Sequence, residues 1–503
     1  MSRGLDIAIL YLSDRRVAYS SLAFHMLKGY LSELGARTAV YFKEDGIIAE
    51  REAPHPSKSK IILTSLPYEL MYIDLVDMLD SLSIPVWRRD RREGPIILAG
   101  GPAITANPTP LLDILDVVLV GEAEPVLEQI VDAVEHESRE RILQELSGIE
   151  GLLVPGYNER VKRVYVRNLD DAWYPIDQRI PKDIEPVWGR SFMLETTRGC
   201  ARGCRFCMEG MIFRPKRDRS FQKLRSILDE GIAANRVGKV SFYSLAFFDS
   251  PHAQKILEYA VSQGLEVSVP SIRAETLTRE RAELISLGGQ RTITIAPETG
   301  SCRIGEAINK CIGYEGTMTA IDNALEGGLR NVKLYIMIGF PGETDEDFEE
   351  TVKLVEDAAY KVGSSGGTLK VAVNPFMPKP VTPMQWSRVP DPKMIAEKMR
   401  VLRKRASMKG ARVSFYDPKW AVVQTVLARG DKRVGELVVE WARRGGRLGA
   451  FKSVARRLGI NLAEYLEEKP VEWTPPWHEI VEHPYAGLRM LRFEYESLLR
   501  SIS

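Results

Sequence analysis

An α/β chain built from two parallel-sheet units is predicted by a repeated alternation. Short, uniformly apolar runs alternate with amphipathic stretches through the first 150 residues, and the alternation resumes at Phe192 for six further rounds. Strands that are apolar at every position belong to sheets buried on both faces, and parallel strands need helical crossovers between them. The expected architecture is an N-terminal Rossmann-like doubly wound parallel sheet, a central (βα)6 partial TIM barrel and a C-terminal mainly helical region. The expected bounds are residues 1–150, a linker at 151–188, a core at 189–390 and an extension at 391–503.

In the first unit the strand candidates are 7–12, 38–42, 61–65, 96–99 and 117–120, with helices at 22–34 and 68–82. Ligands of such sheets sit outside the carboxyl ends of the strands. Those ends carry Ser65-Leu66-Pro67, Gly100-Gly101-Pro102 and Gly121-Glu122-Ala123-Glu124. Glycines there let backbone approach a large flat ligand, although a degenerate sheet without a ligand would read the same way. Residues 152–188 hold scattered proline, asparagine and aspartate and are expected to connect the units, with one hairpin near 161–166.

The second unit offers strands at 192–197, 239–246, 266–272, 292–296, 332–340 and 369–375, and helices at 221–235, 252–263, 279–287, 317–325 and 346–361. A barrel of this kind places its site at the C-terminal mouth of the strands. Asp345 is expected to cap the helix that follows it. A proline-rich stretch from Pro375 to Pro383 is extended rather than helical and is expected to close the open side. Beyond it come a helix at 392–408, a strand at 413–416, further helices and the Trp477-His478 pair, expected to pack at a domain edge.

Bulk properties narrow the function. Sixty-nine basic residues face 68 acidic ones, so no global field draws in nucleic acid or a membrane surface. The basic runs 214–219 and 400–409 are expected to be solvated faces. No apolar run approaches a membrane span, the first residues lack a signal-peptide layout, and the five cysteines fall between Cys200 and Cys311. The expectation is a cytoplasmic, reducing environment without disulfides. Cys302 and Cys311 are nine residues apart, off the i,i+3 and i,i+4 spacings, and are expected to be separate, small buried residues.

The chemistry centres on Cys200, Cys204 and Cys207, spaced C-x3-C-x2-C in a loop lightened by Gly199 and Gly203. Three close thiols suggest a soft metal or an iron–sulfur cluster. A structural zinc site would want a fourth ligand, and no cysteine or histidine follows in register. The motif, with Phe206 before the last cysteine, resembles the signature of the radical SAM enzymes. That resemblance implies a 4Fe–4S cluster on Cys200, Cys204 and Cys207 whose open iron binds S-adenosylmethionine. It also implies an electron donor such as a flavodoxin or ferredoxin.

The resemblance further implies S-adenosylmethionine contacts at the strand ends. Ser244 and Asp249 end strand two, where the family contacts the methionine amino group. Ser271 and Arg273 end strand three, where an arginine pairs with the carboxylate. Glu298 ends strand four and accepts from ribose hydroxyls or the ammonium. Gly339 and Pro341 lie in the turn after strand five that meets the adenine, and Phe206 lies beside the cluster.

The first unit resembles the cobalamin-binding domain found upstream of many radical SAM cores, through Gly100-Gly101-Pro102, Asn107-Pro108, Asp116-Val117-Val118 and Gly121-Glu122-Ala123-Glu124. Ser65, Leu66, Gly100, Gly101, Gly121 and Glu122 are the implied cobalamin contacts. The family's Asp-x-His-x-x-Gly motif is missing, since the region's only histidines before His136 are His25 and His55, outside that context. Methylthiotransferases carry a second cluster on N-terminal cysteines, and this N-terminal unit has none.

The resemblance implies reductive cleavage of S-adenosylmethionine to a 5′-deoxyadenosyl radical and, with cobalamin, methylation of an unactivated carbon. Two alternatives stand beside it: a cluster-only enzyme performing rearrangement or cyclisation, and an iron–sulfur electron-transfer protein.

Overall fold

The computed structural model describes residues 5–502, so Met1 to Gly4 of the expected N-terminal layout lie outside it. The first sheet contains β1 (Ile7–Tyr11), β2 (Thr38–Lys43), β3 (Ile47–Ala49), β4 (Ile61–Ser65), β5 (Ile96–Gly100), β6 (Val117–Leu119) and β7 (Leu152–Leu153), in the order β3-β2-β1-β4-β5-β6-β7. The five central strands are parallel, and the short edge strands β3 and β7 are antiparallel. Chain direction diverges between β1 and β4, the switch point where doubly wound sheets open a crevice.

Both faces of this sheet are buried, as the uniformly apolar strands require. Ile7, Ile9, Leu63 and Leu98 pack beneath helices 22–33, 127–133 and 139–147. Ala8, Leu10, Ile62 and Ile97 face helix 71–81 together with Val426, Val438 and Trp441 from helices 418–428 and 432–442. The far end of the chain therefore completes the core of its beginning.

The linker holds β8 (Val161–Lys162). No hairpin forms there: β8 pairs in parallel with a strand from the C-terminal region, and Val164 bridges to Gly121. The signal for this pairing lies some 320 residues away.

The second unit begins with β9 (Phe192–Glu195) and β10 (Thr197–Arg198); β10 pairs antiparallel with β11 (Arg217–Asp218), so the cysteine loop is an excursion between them. β12 (Lys239–Tyr243) and β13 (Glu266–Ser268) continue the arc from β9 in parallel. β13 ends earlier than the sequence pattern suggests because Pro270 has no N–H for the ladder. A single bridge, Ile272 to Ile295, joins this sheet to β14 (Thr292–Glu298), β15 (Asn331–Ile338), β16 (Leu369–Pro375) and β17 (Arg412–Phe415). The parallel arc thus runs past residue 390 into the stretch expected to be an extension. The last strand, β18 (Val481–Glu482), is the partner of β8. Helix 345–364 is capped by Thr344, not Asp345, in a reciprocal capping box with Asp347.

Among the described residues no helix is long and apolar enough to cross a membrane.

Candidate functional site: a cysteine loop beside an inter-sheet cavity

Gly199 opens the cysteine loop at φ +82°, and a Cβ there would fall 2.4 Å from the Phe213 carbonyl oxygen and 2.6 Å from that of Pro215. Only glycine lets the loop leave and re-enter the sheet so closely. Within it the sulfurs meet donors: Cys200 Sγ accepts from Arg202 N at 3.5 Å, Cys207 Sγ from Gly210 N at 3.3 Å and Cys204 Sγ from Arg273 Nη1 at 3.5 Å. Burial pushes the Cys204 thiol up and the Cys207 thiol to about 12. Such thiols stay protonated unless a metal takes the thiolate. Among the described residues no three Cys, His, Asp or Glu side chains converge on a single-ion site. A cubane asks for something different, one thiolate on each of three irons, with donors to the sulfurs. Three cysteines without a fourth protein ligand in the loop suit that cluster, whereas a tetrahedral zinc ion would want the fourth.

The loop is held from outside by the segment after β14. Arg205 N and Nη1 donate to the carbonyls of Ile308 (2.9 Å) and Ala307 (2.7 Å), and Asn309 Nδ2 donates to those of Arg202 (3.2 Å) and Gly203 (3.1 Å).

Around this loop the structure gathers several of the residues predicted to meet S-adenosylmethionine. The Phe206 ring lies 6.0 Å from Phe340 and 5.9 Å from Lys310 Nζ. Glu298 holds φ +71° beyond an irregularity in β14, and its carboxylate accepts from Lys310 Nζ at 2.7 Å. A non-glycine residue held there is strained, a condition that concentrates at ligand sites. Arg273 reaches Cys204 and pairs with Glu275 at 2.6 Å. Asp249 is engaged by Arg202 at 2.5 and 2.7 Å, so its carboxylate braces the loop. Ser244 shares a 2.6 Å hydrogen bond with Thr197.

Ser271 is exposed. Gly339 donates to Glu343 at 2.9 Å and packs where a Cβ would meet Ile395 at 2.5 Å and Pro390 at 2.9 Å; Pro341 is half-buried in the same turn.

A cavity of about 630 Å³ opens between the two units. Ser65, Gly100, Gly101, Gly121 and Glu122 line it from the first sheet, and Glu195, Thr197, Arg198, Gly199, Tyr243 and Ser244 from the second. Leu66 does not line it. Its side chain is buried in the core, while its backbone lies 2.8 and 2.9 Å from where a Gly101 Cβ would fall. Gly121 is likewise required by Val164, whose carbonyl oxygen would be 2.0 Å from a Cβ. Glu122 also joins the two units: it accepts from Val166 N (2.8 Å), Arg198 (2.8 Å) and Arg217 (2.8 and 3.0 Å). The basic run 214–219 is correspondingly no solvated face, because Arg217 and Arg219 are buried against Glu122 and Glu195.

The walls otherwise suit a large, flat, mostly apolar ligand: Tyr11, Phe24, Trp173, Trp188 and Tyr243 supply rings. Among the described residues no histidine lines them. His25 is buried behind Phe24, where burial pulls its pKa down to about 4. A cobalamin would fit these walls without a protein imidazole.

Two family models match the chain: "Radical SAM proteins, N-terminal" over residues 46–155 and "Radical SAM superfamily" over 194–355. An uncharacterised protein of Methanocaldococcus jannaschii is 30% identical over 433 residues, covering 86% of this chain and 90% of the relative. The chain belongs to the radical SAM superfamily. An uncharacterised methyltransferase of Pyrococcus horikoshii is 30% identical over 293 residues, covering 56% of this chain and 61% of that one. The solved structure of the radical S-adenosylmethionine methyltransferase TsrM from Kitasatospora setae, with cobalamin and a [4Fe-4S] cluster bound, superposes with a TM-score of 0.52 at 15% identity. It covers 91% of this chain and 99% of its own. At that identity the likeness concerns the fold.

Sequence reasoning missed Lys310, Asn309 and Arg198. Lys310 follows Glu298 by twelve residues and Arg198 precedes Arg217 by nineteen, separations that no helix or strand period picks out. His478 is half-buried at the core edge, 3.2 Å from Gln385 Oε1.

Proposed function

We propose that this radical SAM enzyme binds a 4Fe–4S cluster on Cys200, Cys204 and Cys207, S-adenosylmethionine beside Glu298 and Arg273, and cobalamin in the inter-sheet cavity, and that it methylates an unactivated carbon. The observation that carries this reading is that Gly199, immediately before Cys200, lines the same cavity as the strand ends of the first sheet. The cobalamin named with TsrM and the methyltransferase name of the Pyrococcus relative support it.

When bound, the cluster supplies one electron to the sulfonium and the cobalamin a transferable methyl group. The protein's own contribution is positioning and exclusion of water. Arg202, held by Asp249, and Arg205, held by the 307–308 carbonyls, fix the loop. Lys310 Nζ pairs with the Glu298 carboxylate at 2.7 Å and so fixes its position. Arg198 and Arg217 hold the two sheets together, so that the cavity keeps its width.

The cluster-only reading draws on one observation, the lack of a histidine on the cavity wall. Incubation of the reduced protein with S-adenosylmethionine bearing a deuterated methyl group separates the two. The proposal expects 5′-deoxyadenosine, S-adenosylhomocysteine and deuterated product in a cell-extract metabolite pool; 5′-deoxyadenosine alone, with hydroxocobalamin present, would contradict it.

A further inference from the structure

Cys302 and Cys311 depart from expectation. Both are exposed, and the Cys311 thiol is within hydrogen-bonding reach of the Cys302 thiol. Cys302 is the first residue of the short helix 302–307, capped by Ser301, and its side chain points at the loop that follows: a Cβ on Gly313 would fall 2.7 Å from the Cys302 sulfur. From the other side, a Cβ on Gly305 would fall 3.3 Å from Cys311 Cα, and Lys310 N donates to the Gly305 carbonyl at 2.7 Å. The helix and the returning turn are thus folded face to face, with one thiol on each limb.

We propose that Cys302 and Cys311 form a redox-active dithiol that closes into a disulfide across the base of the turn bearing Lys310. The turn is the one that grips the cysteine loop. Between the two cysteines lie the carbonyls of Ala307 and Ile308 that receive Arg205, the Asn309 amide that holds Arg202 and Gly203, and Lys310 itself. Closing the ring fixes these groups relative to the helix, so the oxidation state of two surface thiols bears on the rigidity of the loop that carries Cys200, Cys204 and Cys207.

The step needs a disulfide oxidant of the glutathione class. One thiolate attacks it, releasing one thiol and leaving a mixed disulfide; the second thiolate then displaces the other thiol. The protein loses two protons and two electrons, and the oxidant is reduced to two thiols. Burial first, and then the Cys302 thiol beside it, hold Cys311 above the ordinary cysteine range. The Cys311 thiolate is therefore scarce at neutral pH, and the step that uses it accelerates as pH rises.

The test does not depend on turnover. Cluster-loaded protein is equilibrated anaerobically in glutathione buffers from fully reduced to fully oxidised, acid-quenched, alkylated and peptide-mapped. A linked peptide joining Cys302 to Cys311 is expected to become the main form at the oxidised end and to be absent from Cys302→Ser and Cys311→Ser. Hydrogen exchange at the Arg205 amide is expected to slow by roughly threefold or more in the linked form. Full alkylation of both thiols at the oxidised end, or separate mixed disulfides with glutathione, would overturn the proposal. Linkage with unchanged exchange at Arg205 would overturn the coupling to the cysteine loop.

Discussion

Arg198 Nη1 stands 2.8 Å from Glu122 Oε2, joining the second unit to the first across the cavity. The same guanidinium pairs with Glu124 and Glu195, each at 2.9 Å, and Glu195 also meets Arg219 at 3.1 Å. These side chains are largely buried, so removing one partner strands charges that water cannot reach. Arg198→Met leaves Glu122, Glu124 and Glu195 short of a partner. It is expected to lower the unfolding free energy by about 3–5 kcal/mol, read from guanidinium denaturation, and to abolish cobalamin retention at room temperature.

The same network gives a pH dependence. Burial alone would raise the Glu195 pKa, but Arg198 and Arg219 outweigh it and hold it at about 2, below its ordinary 4.5. A carboxylate lowered in the folded state stabilises the fold fully above its unfolded pKa, and that contribution is lost as pH falls through the folded value. Glu195 accordingly contributes roughly 3 kcal/mol above pH ~4.5, lost progressively toward pH ~2. Acid denaturation of the wild type should show a loss in that window that Glu195→Gln lacks.

Glu298 and Lys310 carry the next expectation. Glu298→Gly relieves the positive φ at that position while removing the carboxylate. Loss of the buried partner of Lys310 Nζ outweighs that relief, so the variant should fold less stably than the wild type and bind S-adenosylmethionine at least roughly tenfold more weakly, the loss of about one charged hydrogen bond. Equilibrium dialysis against the cluster-loaded protein measures it. Unchanged affinity would remove Glu298 from the site.

Cavity and cluster can be separated by a substitution at the cavity mouth. Ala23 is exposed on helix 22–33 and lines the cavity. Ala23→Trp should cut cobalt retention roughly tenfold, about 1.4 kcal/mol of binding, while leaving iron content unchanged. Equal losses of iron and cobalt would point to a folding defect instead.

Much of this arrangement was legible in the chain because it rests on local patterns. The uniformly apolar runs at Ile7, Ile61 and Ile96 mark a sheet covered on both faces, and the spacing of Cys200, Cys204 and Cys207 marks the loop for which cluster chemistry is proposed. What was hidden depends on distant pairings. The strand at Val161 finds its partner at Val481, Trp441 covers the sheet of the first unit, and Arg412–Phe415 extends the arc beyond the expected core. Glu122 follows β6, the place of a ligand contact, and lines the cavity; its partners Arg198 and Arg217 obey no spacing rule. Cys302 and Cys311 were separated by the helix period because a turn, not a continuous helix, brings them together.

On the proposed function one chain holds the cluster and cobalamin side by side. That arrangement is tested most directly by anaerobic reconstitution with iron, sulfide and hydroxocobalamin, followed by desalting, metal analysis and an absorption spectrum. The account predicts about four irons and about one cobalt per chain, with the iron lost on substitution of Cys200, Cys204 or Cys207 by serine. About four irons with no cobalt would contradict the assignment of the cavity, and no retained iron in the wild type would contradict the account at its root.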